Sequence, residues 1–289
     1  MAFFVYHLVM LSSENRYSAQ LPFEQLSLLA GMNVLGLTLS LLLTLPSRAF
    51  ELTLLGSKAT VDFSGAWLFA LLLSVMTAAG VESIMRAHPR VHLSATQYTF
   101  ILWILPCILV AGTALSLPLL RAFGPLAFLT IAGAGMLLVL VVLGEYLSID
   151  LQDRAYAFAR LGLNLAVYLA AFALFQSIYA FKLRSLLSAP LVGVVAALLT
   201  LELLRSGEQD VRRTWLYAAI IGLAMGEILW TINYWNVDAL AGALVLLIAF
   251  YLLTGFAQQY LLRKLNWHTA LEFALVTAFT IFIIVRRMF

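Results

Sequence analysis

The sequence predicts an all-α, polytopic transmembrane helical bundle of about nine spanning helices, and three observations carry that expectation. Hydrophobic residues make up 63% of the 289-residue chain and charged residues only 11%, with a mean hydropathy of +1.00, outside the range of water-soluble domains. Apolar windows near the ~20 residues that cross a bilayer recur along the chain. The tryptophans fall at two levels, Trp103, Trp215 and Trp267 on one side and Trp67, Trp230 and Trp235 on the other, as interfacial aromatic belts do.

Residues 1–26 read as an interfacial N-terminal segment and 27–289 as a single transmembrane helical domain. Met1–Leu11 is apolar but too short to span, and with no basic n-region and no Ala-x-Ala site it does not read as a cleaved signal. The spans are expected near Ser27–Leu45, Phe63–Ser83, Tyr98–Leu117, Ala122–Leu143, Ala155–Ala180, Leu186–Leu204, Trp215–Trp235, Ala239–Tyr260 and His268–Val285. The third and fourth are divided at Pro118-Leu-Leu-Arg121, where Pro118, Arg121 and Pro125 argue for a break. Within the Pro46–Asp62 connection, Phe50–Leu55 is expected as a short interfacial helix on the external side.

After the first helix the chain reads as four hairpins that leave the membrane near Glu82, Glu145, Glu202 and Gln258, a spacing close to sixty residues. Such hairpin repeats fit an internal duplication. The length that any helical hairpin needs accounts for the spacing as well.

Seventeen basic and fourteen acidic residues give a net charge of +3, with the signs interleaved and no Lys/Arg run. That pattern excludes a nucleic-acid partner and leaves the lipid bilayer, with membrane-protein partners or a homo-oligomer beside it. Ten basic residues on the N-terminal side against seven on the other favour a cytoplasmic N-terminus in a plasma or inner membrane. The lone Cys107 allows neither an intramolecular disulfide nor a cysteine metal cluster.

Glu227 is the costliest residue in the chain. It falls in an apolar helix, about 12 Å inside Trp235 at ~1.5 Å per residue, where a charge costs roughly 2.5–3.5 kcal/mol on insertion scales. On the helical repeat Glu227, Trp230, Thr231, Tyr234 and Asp238 share one face. The Gly222/Gly226 pair next to it permits a close helix approach, so this face is expected to look into protein and away from lipid. It is the candidate substrate-binding site.

Arg160 and Asn164 lie one turn apart, and Arg160 is expected to pair with Glu145 or Glu202 as a structural polar contact. Asn33 and Gln176 read as interhelical hydrogen-bonding amides, and Glu272 as a snorkelling acid. His88 and His92, with Glu82 near, have a metal-like spacing, but Pro89 interrupts the helix, so no metal is assigned and the histidines read as solvated turn residues.

No Walker loop, His-Glu-x-x-His pair or Gly-x-Ser-x-Gly elbow occurs, so no cofactor is expected and the enzyme class is disfavoured. The leading expectation is a small carrier or permease for an amphipathic or lipid-like substrate, with Glu227 as coupling carboxylate. The alternative is a non-catalytic subunit or assembly protein of a membrane complex. A third is an intramembrane enzyme on a lipid-linked substrate, which would need Tyr234, Asn236 and Asp238 to converge at one rim.

Overall fold

A computed structural model of the chain describes residues 22–43, 45, 48–54, 57–63, 65–88, 99–150, 154–180, 185–205, 211–234, 238–262 and 271. Among them are eight helical segments long and apolar enough to cross a membrane. The helices are α1 (Phe23–Leu42), α2 (Gly65–Arg86), α3 (Ile104–Leu120, entered through a 3₁₀ segment at Thr99–Trp103), α4 (Gly124–Leu147), α5 (Tyr156–Ala180), α6 (Ser185–Leu204), α7 (Val211–Ile232) and α8 (Ala239–Leu261). The chain is a multi-pass integral membrane protein. The expected ninth span, His268–Val285, lies outside the described residues except Leu271, as do Met1–Leu11, His92 and Glu272. α1 begins at Phe23, inside the segment expected to lie at the interface. The break at Pro118–Arg121 holds: α3 ends at Leu120 and α4 starts at Gly124 with Pro125 in its first turn.

Contacts group the chain into two units, residues 1–166 and 167–289. In the first, α1 packs on α2, α3 and α4, and α3 packs on α2 and α4. Lipid is as apolar as a leucine side chain, so such helices associate through close contact and interhelical hydrogen bonds. Both occur. Gly36 receives Leu73, and Gly80 receives Leu29. The Thr77 hydroxyl donates to Asn33 Oδ1 at 2.9 Å, and Asn33 Nδ2 donates to the Leu29 carbonyl at 3.0 Å; Asn33 is thus the interhelical amide its sequence position suggested. Gln176 in α5 is only half-buried, and no interhelical bond from it is found among the described residues.

Between α1 and α2 the chain forms an antiparallel hairpin of β1 (Arg48–Leu54) and β2 (Ser57–Phe63), pairing Arg48 with Phe63 through to Leu54 with Ser57. Phe50–Leu54 is therefore strand, not the expected helix. The alternation Phe50-Glu51-Leu52-Thr53-Leu54 has the two-residue period of a strand, which five residues cannot present as a helical face.

The second unit holds the later part of α5 with α6, α7 and α8. α6 and α7 meet almost backbone to backbone: a Cβ on Gly193 would lie 2.8 Å from the Gly222 carbonyl oxygen, and one on Gly222 would lie 2.6 Å from that of Gly193. Asn233 Nδ2 donates to Ser188 Oγ at 3.2 Å across the same seam. On the other flank the Tyr179 ring lies on Gly242 of α8, where a Cβ would stand 2.5 Å from it. Phe175 and Tyr168 pack edge-on against Phe250, and the Tyr168 hydroxyl is 3.3 Å from Thr254 Oγ1.

Candidate functional site on the outer face of the seventh helix

α7 carries its polar residues towards its two ends, Arg212, Arg213 and Thr214 at one and Glu227 and Thr231 at the other, and the glycine seam decides how it is turned. Gly222 meets Gly193 and Ala197, and a Cβ on Gly226 would lie 3.1 Å from the Ala189 carbonyl oxygen, so the side bearing these glycines faces α6. Successive residues are rotated by about 100°, which turns Glu227 away from both. Glu227 and Thr231 are exposed, Trp230 is 45% exposed and Tyr234 79%. The four share a face as the spacing predicts, but that face looks out of the chain. The glycine pair and the carboxylate belong to different sides of one helix, so close approach at Gly222 and Gly226 does not bring Glu227 inside.

Asp238 does not belong to this face. α7 ends at Ile232, whose carbonyl accepts from Tyr179 Oη at 3.4 Å, and a turn follows in which the Tyr234 amide donates to the Thr231 carbonyl. Asp238 lies beyond that turn, exposed, at the N-cap of α8 with extended backbone. Extending the helical repeat to Asp238 carried it past the end of the helix.

Within the face the polar groups are partly engaged with one another. Trp230 Nε1 donates to Tyr234 Oη at 3.3 Å, and Thr231 Oγ1 donates to the backbone carbonyl of Glu227 at 3.0 Å. Both bonds leave the carboxylate aside, and among the described residues it has no hydrogen-bonding or ionic partner. Between the exposed Arg213 and Glu227 the outer stripe offers Leu216, Ala219, Ile220 and Leu223. That apolar band is about 21 Å long at ~1.5 Å per residue, short of the ~30 Å hydrocarbon core. A bilayer of ordinary thickness thus covers one of its two charged ends.

The other singled-out residues are inside the fold. Glu145 is fully buried near the end of α4, and Arg160 is 7% exposed in the first turns of α5, with Asn164 half-buried one turn on. Neither Glu145 nor Arg160 lacks a partner. The hairpin around them is closed by Leu143, Leu147, Ala155 and Ala159. Glu202, 1% exposed in the last turn of α6, accepts from Arg205 Nη2 at 3.2 Å, while Gln258 Nε2 donates to the Leu203 carbonyl at 3.0 Å. Carboxylates at helix C-termini oppose the helix dipole, so these arrangements depend on their cations and donors.

Two features of this region are not readable from local spacing. Glu82 Oε1 accepts from Arg86 Nε and from Thr99 Oγ1, both at 2.8 Å, so its role is to tie α2 to the 3₁₀ entry of α3. His88 is buried, not solvated, with its ring edge-on to Tyr146 at 4.6 Å. Among the described residues no group of three or more His, Cys, Asp or Glu side chains is placed to hold a metal ion.

No curated protein and no solved structure matches the chain. One family model does, over residues 45–287, a range that takes in the β-hairpin and everything from α2 onward, including the outer face of α7. The chain belongs to that family, described as protein of unknown function, DUF5656.

Proposed function

We propose that this protein is a non-catalytic membrane subunit that assembles with another membrane-embedded helix through the outer face of α7. The supporting observation is Glu227, an exposed carboxyl on the outside of a spanning helix, flanked by the exposed Trp230, Thr231 and Tyr234. Lipid offers that carboxyl no hydrogen bond, whereas a partner helix with a basic or amide side chain at the same level does. Tryptophan and tyrosine beside it supply the large amphipathic contacts that anchor such interfaces. A carrier needs Glu227 to line a path through the bundle, and an enzyme needs Tyr234 and Asp238 to converge; the outward carboxyl and the separate positions of the other two support assembly instead. The orientation that accompanies this reading has the N-terminus cytoplasmic, on the basic-residue bias alone.

The test is the mass of the particle extracted from its native membrane in polymer-bounded lipid discs. An interhelical polar contact is worth about 0.6–2 kcal/mol, so Glu227→Leu is expected to weaken the complex roughly three- to thirty-fold, with Glu227→Gln retaining most of it. A particle holding a single chain, or one indifferent to Glu227→Leu, would count against assembly at this face.

A further inference from the structure

We infer that the β1–β2 hairpin is a membrane-surface element, which lies along the bilayer at the C-terminal end of α1 with one face against the headgroup–acyl boundary. The pairing puts Phe50 beside Val61, Leu52 beside Ala59 and Arg48 beside Phe63, with Leu54 at the tip beside Ser57. Cross-strand partners share a face, so one face collects six apolar positions: Phe50, Leu52, Leu54, Ala59, Val61 and Phe63. The opposite face pairs Ala49 with Asp62, Glu51 with Thr60 and Thr53 with Lys58, a polar surface fit for water. An isolated two-stranded hairpin is marginal in water, and a one-sided apolar face needs a cover.

Position and charge commit that cover to lipid. β1 begins six residues after Leu42, the end of α1, and β2 ends two residues before Gly65, the start of α2. Both strands are therefore pinned to the membrane surface at their base. Strands of seven residues are about 23 Å long at ~3.3 Å each, so a hairpin standing upright would carry its apolar face away from the bilayer, and one lying flat keeps all six positions at the boundary. Among the described elements the two strands pack chiefly on each other. Arg48, at the base and on the face of the six apolar positions, is a basic residue placed where that face meets lipid phosphate. The polar-aromatic stripe of α7 plays no part in this inference.

The test uses the full chain in vesicles of phosphatidylcholine and phosphatidylglycerol, in a Cys107→Ala background, with single cysteines at Leu52 and Val61 on one face and Thr53 and Thr60 on the other. The expected result is alternation. Fluorophores at 52 and 61 are quenched by phosphatidylcholine carrying a spin label high on its acyl chain, whereas thiols at 53 and 60 react several-fold faster with a membrane-impermeant maleimide. Equal reactivity and no lipid quenching at all four positions would overturn the inference. So would shielding of 52 and 61 from both reagents, since protein would then be the cover.

Discussion

The Arg121 guanidinium, in the turn between α3 and α4, donates from Nη2 to the carbonyl oxygens of Ser40 and Leu43 at the end of α1, each at 3.0 Å. The last carbonyls of a helix have no donor of their own and carry its negative pole, so one side chain both bonds and neutralises the end of α1. Arg121 is exposed, which puts the contribution at the lower end of charged hydrogen bonds, about 1 kcal/mol. Arg121→Ala is expected to lower the unfolding midpoint in detergent, and Arg121→Lys, with a charge but no fork, to recover part of it.

Asn33 and Thr77 are both fully buried and bonded across the α1–α2 seam. Thr77→Val keeps the shape and removes the donor, which leaves Asn33 Oδ1 unsatisfied at a cost of roughly 0.6–1.7 kcal/mol. Asn33→Ala should cost at least as much. The double variant should cost less than the sum of the two, a coupling that a double-mutant cycle of unfolding free energies reads directly.

Gly193 and Gly222, which meet across the α6–α7 seam, should tolerate nothing larger. At Gly222 an added Cβ would lie 2.6 Å from the Gly193 carbonyl and 2.9 Å from Ala197 Cβ, and the obstacle is backbone that cannot rotate away. Gly222→Ala is expected to destabilise by about 1–3 kcal/mol, as overpacked cores do. Gly162, with nothing within 4 Å of the same built atom, should accept alanine with no loss, or with a gain of up to ~1 kcal/mol from helix propensity. Thermal midpoints of the two variants, measured side by side, check the contrast.

The spans were legible because hydrocarbon imposes a length that sequence cannot disguise, and all eight described helices overlap expected windows. Their ends were less so. α7 begins at Val211, ahead of Arg212 and Arg213, because a helix continues past the bilayer into charged residues that hydropathy reads as loop. The face of Glu227, Trp230, Thr231 and Tyr234 followed from the helical repeat, but its direction did not. That needed the rotation between Gly226 and Glu227, about 100°, which sends the glycines to α6 and the carboxylate outward. The burial of His88 against Tyr146, and the contact of Thr99 with Glu82, join residues too far apart in sequence for any local pattern to announce.

The proposed assembly requires the outer face of α7 to be covered by protein. The direct measurement is photo-crosslinking in intact native membranes, with a benzophenone amino acid placed at Leu223 or Thr231 on the exposed stripe and, as control, at the exposed Leu165 of α5. A defined protein adduct is expected from positions 223 and 231, weakened by Glu227→Leu, and none from position 165. Lipid adducts alone from all three positions would contradict it.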